Sequence, residues 1–353
     1  MNLVMFLQQL HLVNFRNYQQ LQLDLAPVTL FIGDNAQGKS NLLEAIYFLA
    51  TTKSYRAEKD AQLINQSGNF TTLTGVVTRK DQEVYKLEIG MQLLGESLLK
   101  RVKVNGIPKR VVDYIGNLVV VAFTPEDIAL VFGSPSLRRW HIDLTLAQID
   151  RSYKKAVTEY SEVIVSRNKI LKKIRDGLSQ KNELDFWTDR AVDLARIIHQ
   201  KREELFKSIS GSKQLLGEFN YIFHPSVMDK NRLEGYLPRE IAAATSLIGP
   251  HRDDFSFHLN DKNLSQFGSR GEQRTAVLEL KLRELEYINQ TLGEKPLLIL
   301  DDIFSELDKS HRDHIVSLTG LQQTIISAIE EEVVPEILLK ESKIYLVKQG
   351  SVV

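Results

Sequence analysis

The segment "GDNAQGKSNLLEAIYFLA", residues 33 to 50, sets two glycines either side of four residues and follows the second at once with Lys39 and Ser40. Before it stands "VTLFIG", a short apolar, β-branched run of strand character. After it Leu42, Leu43, Ile46, Leu49 and Ala50 recur at helical spacing. The loop therefore joins a strand to a helix N-terminus, which commits the chain to an α/β arrangement. Glycine lets the backbone of Gly33, Asp34, Asn35, Ala36, Gln37 and Gly38 curl so that several amides turn inward. The helix end adds partial positive charge, Lys39 adds a full one, and Ser40 offers a hydroxyl to Mg²⁺. The alternative is an ordinary glycine-containing turn; the loop in its strand-to-helix context predicts a cradle for a nucleoside triphosphate.

Bulk composition narrows the class. A chain of 353 residues with 43% hydrophobic residues can bury a large core, enough for two or three structural units. It shows no cationic, apolar leader and no apolar run long enough to cross a bilayer, which predicts a cytoplasmic protein with no membrane partner. The absence of cysteine excludes disulfides, thiolate metal sites and cysteine nucleophiles. Lysine plus arginine equal aspartate plus glutamate at 45 each, so any nucleic-acid contact must come from a local patch.

The pattern along the chain predicts an interrupted domain. Residues 1–125 read as strands, in runs such as "LQLDLAPVTLFIG" and "EVYKLEIGMQLL", and "NG" at Asn105 and Gly106 between alternating valines and Ile107 signals a hairpin. Residues 126–235 read as an inserted helical lobe. Apolar positions step from Ile142 through Leu146, Ile149, Tyr153, Val157, Tyr160, Ile164 and Leu171 to Ile174, interrupted by Arg167, and predict one long amphipathic helix. A second series from Leu184 to Ile209 predicts its antiparallel partner, each about 50 Å long. Residues 236–353 return to strand and helix text. There "PLLILDD" reads as a buried parallel strand ending in Asp301 and Asp302, the place for a Mg²⁺ contact in an open α/β sheet, although carboxylates can also cap the next turn.

A third motif carries a resemblance. In "FGSRGEQRTAVLELKL", Ser269, Arg270, Gly271 and Glu272 resemble the S-G-G-[QE] signature of ABC-type ATPases, and "SELD" at 305–308 resembles their D-loop. "LVNFRNY", "VNGIPKR", "FTPEDIALVFGSPSLRRWHID", "IGPHRDDF" and "LLILDDIFSELD", taken in order along nearly the whole chain, resemble the RecF family. The resemblance implies an ABC-type P-loop ATPase head of mixed and central α/β sheets with an inserted helical lobe. It implies a cytoplasmic protein of DNA repair, DNA damage response (SOS) and replication. Such a protein binds ATP and Mg²⁺, hydrolyses ATP weakly under DNA stimulation, and closes as a homodimer on single- or double-stranded DNA at gaps or junctions. RecR, and RecO with it, are the implied partners in loading RecA.

Carried onto this sequence, the resemblance gives Lys39 to the phosphates, Ser40 and Asp301 to Mg²⁺, Asp302 to the attacking water, and Ser269 with Gly271 to the nucleotide of the second copy. The segment around Glu126 corresponds to the Q-loop, the alternative being a plain turn followed by a helix. Two departures stand out: Asp302 occupies a position usually held by glutamate, with one methylene less reach, and Ser327 and Ala328 fall where a switch histidine is usual. Basic residues gather at Lys53 and Arg56, at Lys100, Arg101, Lys103, Lys109 and Arg110, and at Lys169, Lys172, Lys173 and Arg175, as DNA contacts or as solvated faces. His251, Asp253 and Asp254 read as structural ion pairs or a turn rather than a metal site. An ABC transport ATPase subunit or a P-loop phosphotransferase would share the loop, but the first needs a membrane partner and the second needs no signature.

Overall fold

A computed structural model describes residues 5–80, 82–304 and 309–353. The chain divides into two compact units, Met1–Asp127 with Glu284–Val353, and Ile128–Arg283 between them in sequence.

The first unit begins with β1 (Phe6–Phe15), β2 (Tyr18–Asp24), β3 (Val28–Ile32), α1 (Lys39–Thr51), β4 (Phe70–Thr78), β5 (Val84–Leu94), β6 (Ser97–Val104), β7 (Ile107–Lys109), α2 (Val111–Tyr114) and β8 (Val120–Phe123). Six of these strands form an antiparallel sheet in the order β2-β1-β4-β5-β6-β7. The hairpin read from the Asn-Gly pair is present: Asn105 and Gly106 take φ of 53° and 75°, and Val104 pairs with Ile107.

The second unit holds α3 (Ala129–Phe132), α4 (Pro135–Ile149), α5 (Arg151–Arg175), α6 (Asp185–Gly211), β9 (Phe219–His224), α7 (Lys230–Ala243), β10 (Asp254–Leu259), β11 (Lys262–Asn263), α8 (Leu264–Phe267) and most of α9 (Arg270–Leu292), which runs on into the first unit. The single long helix expected from Ile142 onward is two. Asp150 leaves the helical region at φ −127°, ψ 110°, and its carboxylate accepts the Tyr153 amide as the N-cap of α5. Apolar spacing continues unbroken through this corner, so periodicity alone did not expose it. The helices are correspondingly shorter, about 38 Å for α5 and 40 Å for α6 at 1.5 Å per residue. The unit also extends past residue 235 to Arg283, because β9 pairs antiparallel with β10 and holds the "DDFSFHL" strand within it.

Arg167, which interrupts the apolar stripe of α5, is inside the lobe. Its guanidinium bonds the buried Glu240 carboxylate at 2.6 Å and Ser246 Oγ at 2.7 Å. Glu240→Ala should therefore cost about 3–5 kcal/mol, since it strands a buried cation without its partner. Chemical denaturation followed by circular dichroism would show the midpoint move down; an unchanged midpoint would contradict the pairing.

The chain then completes the first unit with β12 (Leu297–Asp301), α10 (Lys309–Thr319), β13 (Thr324–Ala328), α11 (Glu336–Glu341), β14 (Lys343–Lys348) and β15 (Ser351–Val352). The second sheet runs β15-β14-β3-β13-β12-β8, parallel from β14 to β8. Strands β3, β13 and β12, and β8 at the sheet's edge, are buried at every residue, as their continuous apolar text requires. Helix α1 touches β1, β4 and β5 of one sheet and β8, β12 and β13 of the other. Enclosure by two sheets explains why it is buried on nearly all sides, from Leu42 to Thr51, rather than along one stripe. Among the described residues no helix is long and apolar enough to cross a membrane.

Candidate nucleotide-binding site

The sheet order places the carboxyl ends of β3, β13 and β12 side by side, the position where open α/β sheets bind ligands. From β3 the chain enters the loop 33–38. Gly38 takes φ 121°, and a Cβ there would stand 2.5 Å from Asn17 Nδ2 and 2.7 Å from Tyr18 Oη, so only glycine fits. The β1–β2 turn braces the loop: Asn17 Nδ2 donates to the Gln37 carbonyl at 3.0 Å and Tyr18 Oη to the Gly38 carbonyl at 3.0 Å. Helix α1 carries neither a side-chain cap nor an acidic residue in its first turn. Its N-terminal amides thus keep their partial positive charge for an anion. Lys39 is buried and donates to the carbonyls of Gly33 and Asp34 at 2.5 and 2.9 Å. Burial pushes its pKa below the ordinary lysine value, against the pull of Asp302, Asp301 and Asp34.

The loop and the acidic strand, 261 positions apart in sequence, meet: Ser40 Oγ donates to Asp301 Oδ1 at 2.9 Å. Asp301 is buried and accepts two further hydroxyls, Ser327 Oγ at 2.6 Å on the same oxygen and Tyr55 Oη at 3.3 Å on Oδ2. The donor set is hydroxyl and carboxylate oxygen only, which fits a hard cation such as Mg²⁺ that keeps most of its own waters. Asp302 follows at φ 51°, its amide donating to Ser327 Oγ at 3.0 Å. Tyr55 was not singled out from the sequence; its role depends on a contact 246 positions away. Arg56 bonds Asn41 Oδ1 at 3.0 Å and lies 3.7 Å from Glu126, so part of one basic cluster is engaged around the loop.

Strand alternation divides the second basic cluster. Lys100 turns inward, bonding Asp60 at 2.6 Å and the Thr52 carbonyl at 2.9 Å over the Phe48 ring, and burial lowers its pKa. Arg101 and Lys103 turn outward and are exposed. Lys100 is thus a structural cation, paired within its own chain.

In the second unit, Ser269 precedes α9 as its cap. Its Oγ accepts the Glu272 amide at 3.3 Å and donates to Glu272 Oε2 at 2.7 Å, while its own amide donates to the same carboxylate at 2.8 Å. These bonds hold the Glu272 pKa below the usual carboxylate range. Ser269, Arg270, Gly271 and Glu272 are all exposed, and a Cβ on Gly271 would meet nothing within 4 Å, so nothing in its own chain requires glycine there. The neighbouring Phe267 is 71% exposed. The D-loop segment 305–308 lies outside the described residues. The "GPHRDDF" tract is spent on ion pairs and a hydrogen bond: Arg202 bonds Asp253 at 2.7 Å, Arg138 grips Asp254 at 2.6 and 2.9 Å, and His251 Nδ1 meets Tyr160 Oη at 2.8 Å. Among the described residues no group of three or more His, Asp and Glu side chains could hold a metal by itself.

Two sheets around a buried phosphate-loop helix, with an acid-ended parallel strand beside it, define the head of an ABC-type P-loop ATPase. Residues 6–352 match the RecF/RecN/SMC N terminal domain family. The DNA replication and repair protein RecF of Halalkalibacterium halodurans is 36% identical, across 98% of this chain and 99% of its own, and that of Bacillus thuringiensis is 36% identical across 99% and 98%. The chain belongs to the RecF family. It is similar to the solved structure of the recombination mediator protein RecF-ATP in the RecFOR pathway, with a TM-score of 0.89 and 31% identity over 100% of this chain and 98% of that one. A Pyrococcus furiosus Smc head domain, at TM-score 0.55 and 16% identity over 99% of this chain and 95% of that one, shares the fold.

Proposed function

We propose that this protein is an ATP-gated DNA clamp of recombinational repair and replication restart, in which two copies close head to tail around two ATP molecules. The observation that carries the reading is the Ser40 Oγ to Asp301 Oδ1 contact, which joins the phosphate loop to the acid of the neighbouring strand. The amides of residues 33–38 and of the α1 N-terminus cradle the phosphates, and Lys39 leaves the Gly33 and Asp34 carbonyls to neutralise the β and γ oxygens. Ser40 and Asp301 would hold Mg²⁺, which would supply charge neutralisation at the phosphates. Asp302 orients the attacking water; its carboxylate is shorter than the usual glutamate, in keeping with slow turnover.

The signature helix completes the site in the partner copy. An exposed serine at a helix N-terminus, a glycine whose side-chain space is open and an exposed Phe267 beside them suit a surface that a second copy covers. Binding free energy spent on that interface favours the closed dimer until the γ-phosphate is lost. Closure brings outward cations such as Arg101 and Lys103 of both copies to DNA, giving affinity with little sequence preference. Single- or double-stranded DNA at gaps or junctions, DNA-stimulated hydrolysis, and co-operation with RecR and RecO in loading RecA in the cytoplasm belong to the same proposal. The relatives' printed role in replication and repair and the neighbour's place in the RecFOR pathway support it.

Two neighbouring substitutions test the division of labour. Asp302→Asn should keep ATP and Mg²⁺ binding but lower hydrolysis by roughly 10²–10⁴-fold, leaving the dimer trapped on gapped duplex. Asp301→Asn should instead remove the gain in ATP affinity that Mg²⁺ provides. Calorimetry and phosphate release on both variants decide the matter; identical defects in binding and turnover would refute the assignment.

A further inference from the structure

We infer that Ser327 is a positioning residue that ties the Asp301 carboxylate to the Asp302 backbone, in place of a side chain that senses the γ-phosphate. The inference rests on the reading of Asp301 as the metal acid. Ser327 is fully buried on β13, in register with Asp301 on β12. Its hydroxyl donates to Asp301 Oδ1 at 2.6 Å and accepts the Asp302 amide at 3.0 Å. A serine hydroxyl has one proton to give. That proton is committed to Asp301, and the next residue, Ala328, has no polar side chain, so neither side chain offers a donor to a nucleotide. What it does instead is fix two things at once. It holds the Asp301 carboxylate at Oδ1, the oxygen that Ser40 also bonds, so that the carboxylate stays oriented when Ser40 turns to a cation. It also anchors the backbone of Asp302 at φ 51°, a conformation that non-glycine residues adopt sparingly, and thereby sets where the Asp302 side chain starts.

Outer partners of this kind usually tune metal affinity by a factor of ten or more. The test is the affinity of the full-length protein for a non-hydrolysable ATP analogue, measured by calorimetry in EDTA and across a Mg²⁺ titration, with melting temperature in EDTA as a check on folding. Ser327→Ala should bind the analogue in EDTA like the wild type but need about tenfold more Mg²⁺ for the half-maximal gain in affinity. Ser327→Thr, which keeps the hydroxyl, should stay within about twofold of wild type, and the near-isosteric Ser327→Cys, a weak donor, should fall between. If Ser327→Ala proves insoluble, the Cys and Thr variants carry the same comparison. An unchanged Mg²⁺ requirement, or an equal loss of affinity with and without Mg²⁺, would overturn the inference. Asp301→Asn is run beside them: if it abolishes the Mg²⁺ dependence while Ser327→Ala does not, only the role of Ser327 falls. If Asp301→Asn leaves that dependence intact, the metal reading itself fails and takes the inference with it.

Discussion

Lys39→Met should lower ATP affinity by about a hundredfold or more, the loss expected when one member of a buried, hydrogen-bonded charge pair is truncated. The argument starts from the position of the ammonium. It is buried within the curl of the loop, tied to the Gly33 and Asp34 carbonyls, with three carboxylates acting on it. Methionine fills a similar volume, so the loop keeps its packing and loses the charge. The bracing contacts of Asn17 and Tyr18 do not involve Lys39 and should preserve the loop's course. Lys39→Arg should bind ATP more nearly normally but still fail to close, because a planar guanidinium does not fit where a compact ammonium serves. Calorimetry with ATP, alongside melting temperatures without nucleotide, measures both effects. Equal ATP affinity in the wild type and a well-folded Lys39→Met variant would remove the loop from the account.

Ser269→Arg should leave each monomer able to bind ATP while weakening ATP-dependent dimerisation by at least about a hundredfold, the scale of losing a central interface contact. The side-chain bonds of Ser269 are with Glu272, and those that brace the phosphate loop come from Asn17, Tyr18 and Lys39, so the substitution removes none of the latter. The variant also loses the capping box with Glu272, a cost of about 1 kcal/mol at an exposed helix end. Ser269→Ala separates the two effects, since it removes the cap without the bulk; it should dimerise far better than Ser269→Arg. A mixture of Ser269→Arg with Lys39→Met is sharper still. A head-to-tail pair of the two retains one composite site with both Lys39 and Ser269 intact, and a working site should reappear. A Ser269→Arg protein that loses ATP binding as a monomer would show that the serine acts within its own chain.

The parts of this fold that were legible in the sequence are those written locally. The phosphate loop declares itself in eight consecutive residues, the acid-ended strand in seven, and the hairpin at Asn105 in two, because each depends on neighbours in the chain. The signature helix declared itself only through resemblance; in the structure its first residues form a capping box. What stayed hidden depends on distant contacts. Ser327 could be seen only as something other than histidine, since its meaning lies in Asp301, 26 positions away. Lys100 looked like its neighbours in a basic run until the pleat turned it toward Asp60. The corner at Asp150 hid beneath a continuous apolar stripe, and the extent of the inserted unit depended on β9 finding β10 across α7.

The most direct test of the clamp is sedimentation of the wild-type protein without nucleotide, with ADP and with ATP, each in the presence and absence of a gapped duplex. The account predicts a monomer without nucleotide and with ADP, a dimer with ATP, and co-sedimentation of that dimer with the duplex. A protein that remains monomeric with saturating ATP and DNA, or one that is equally dimeric in all three states, would contradict it.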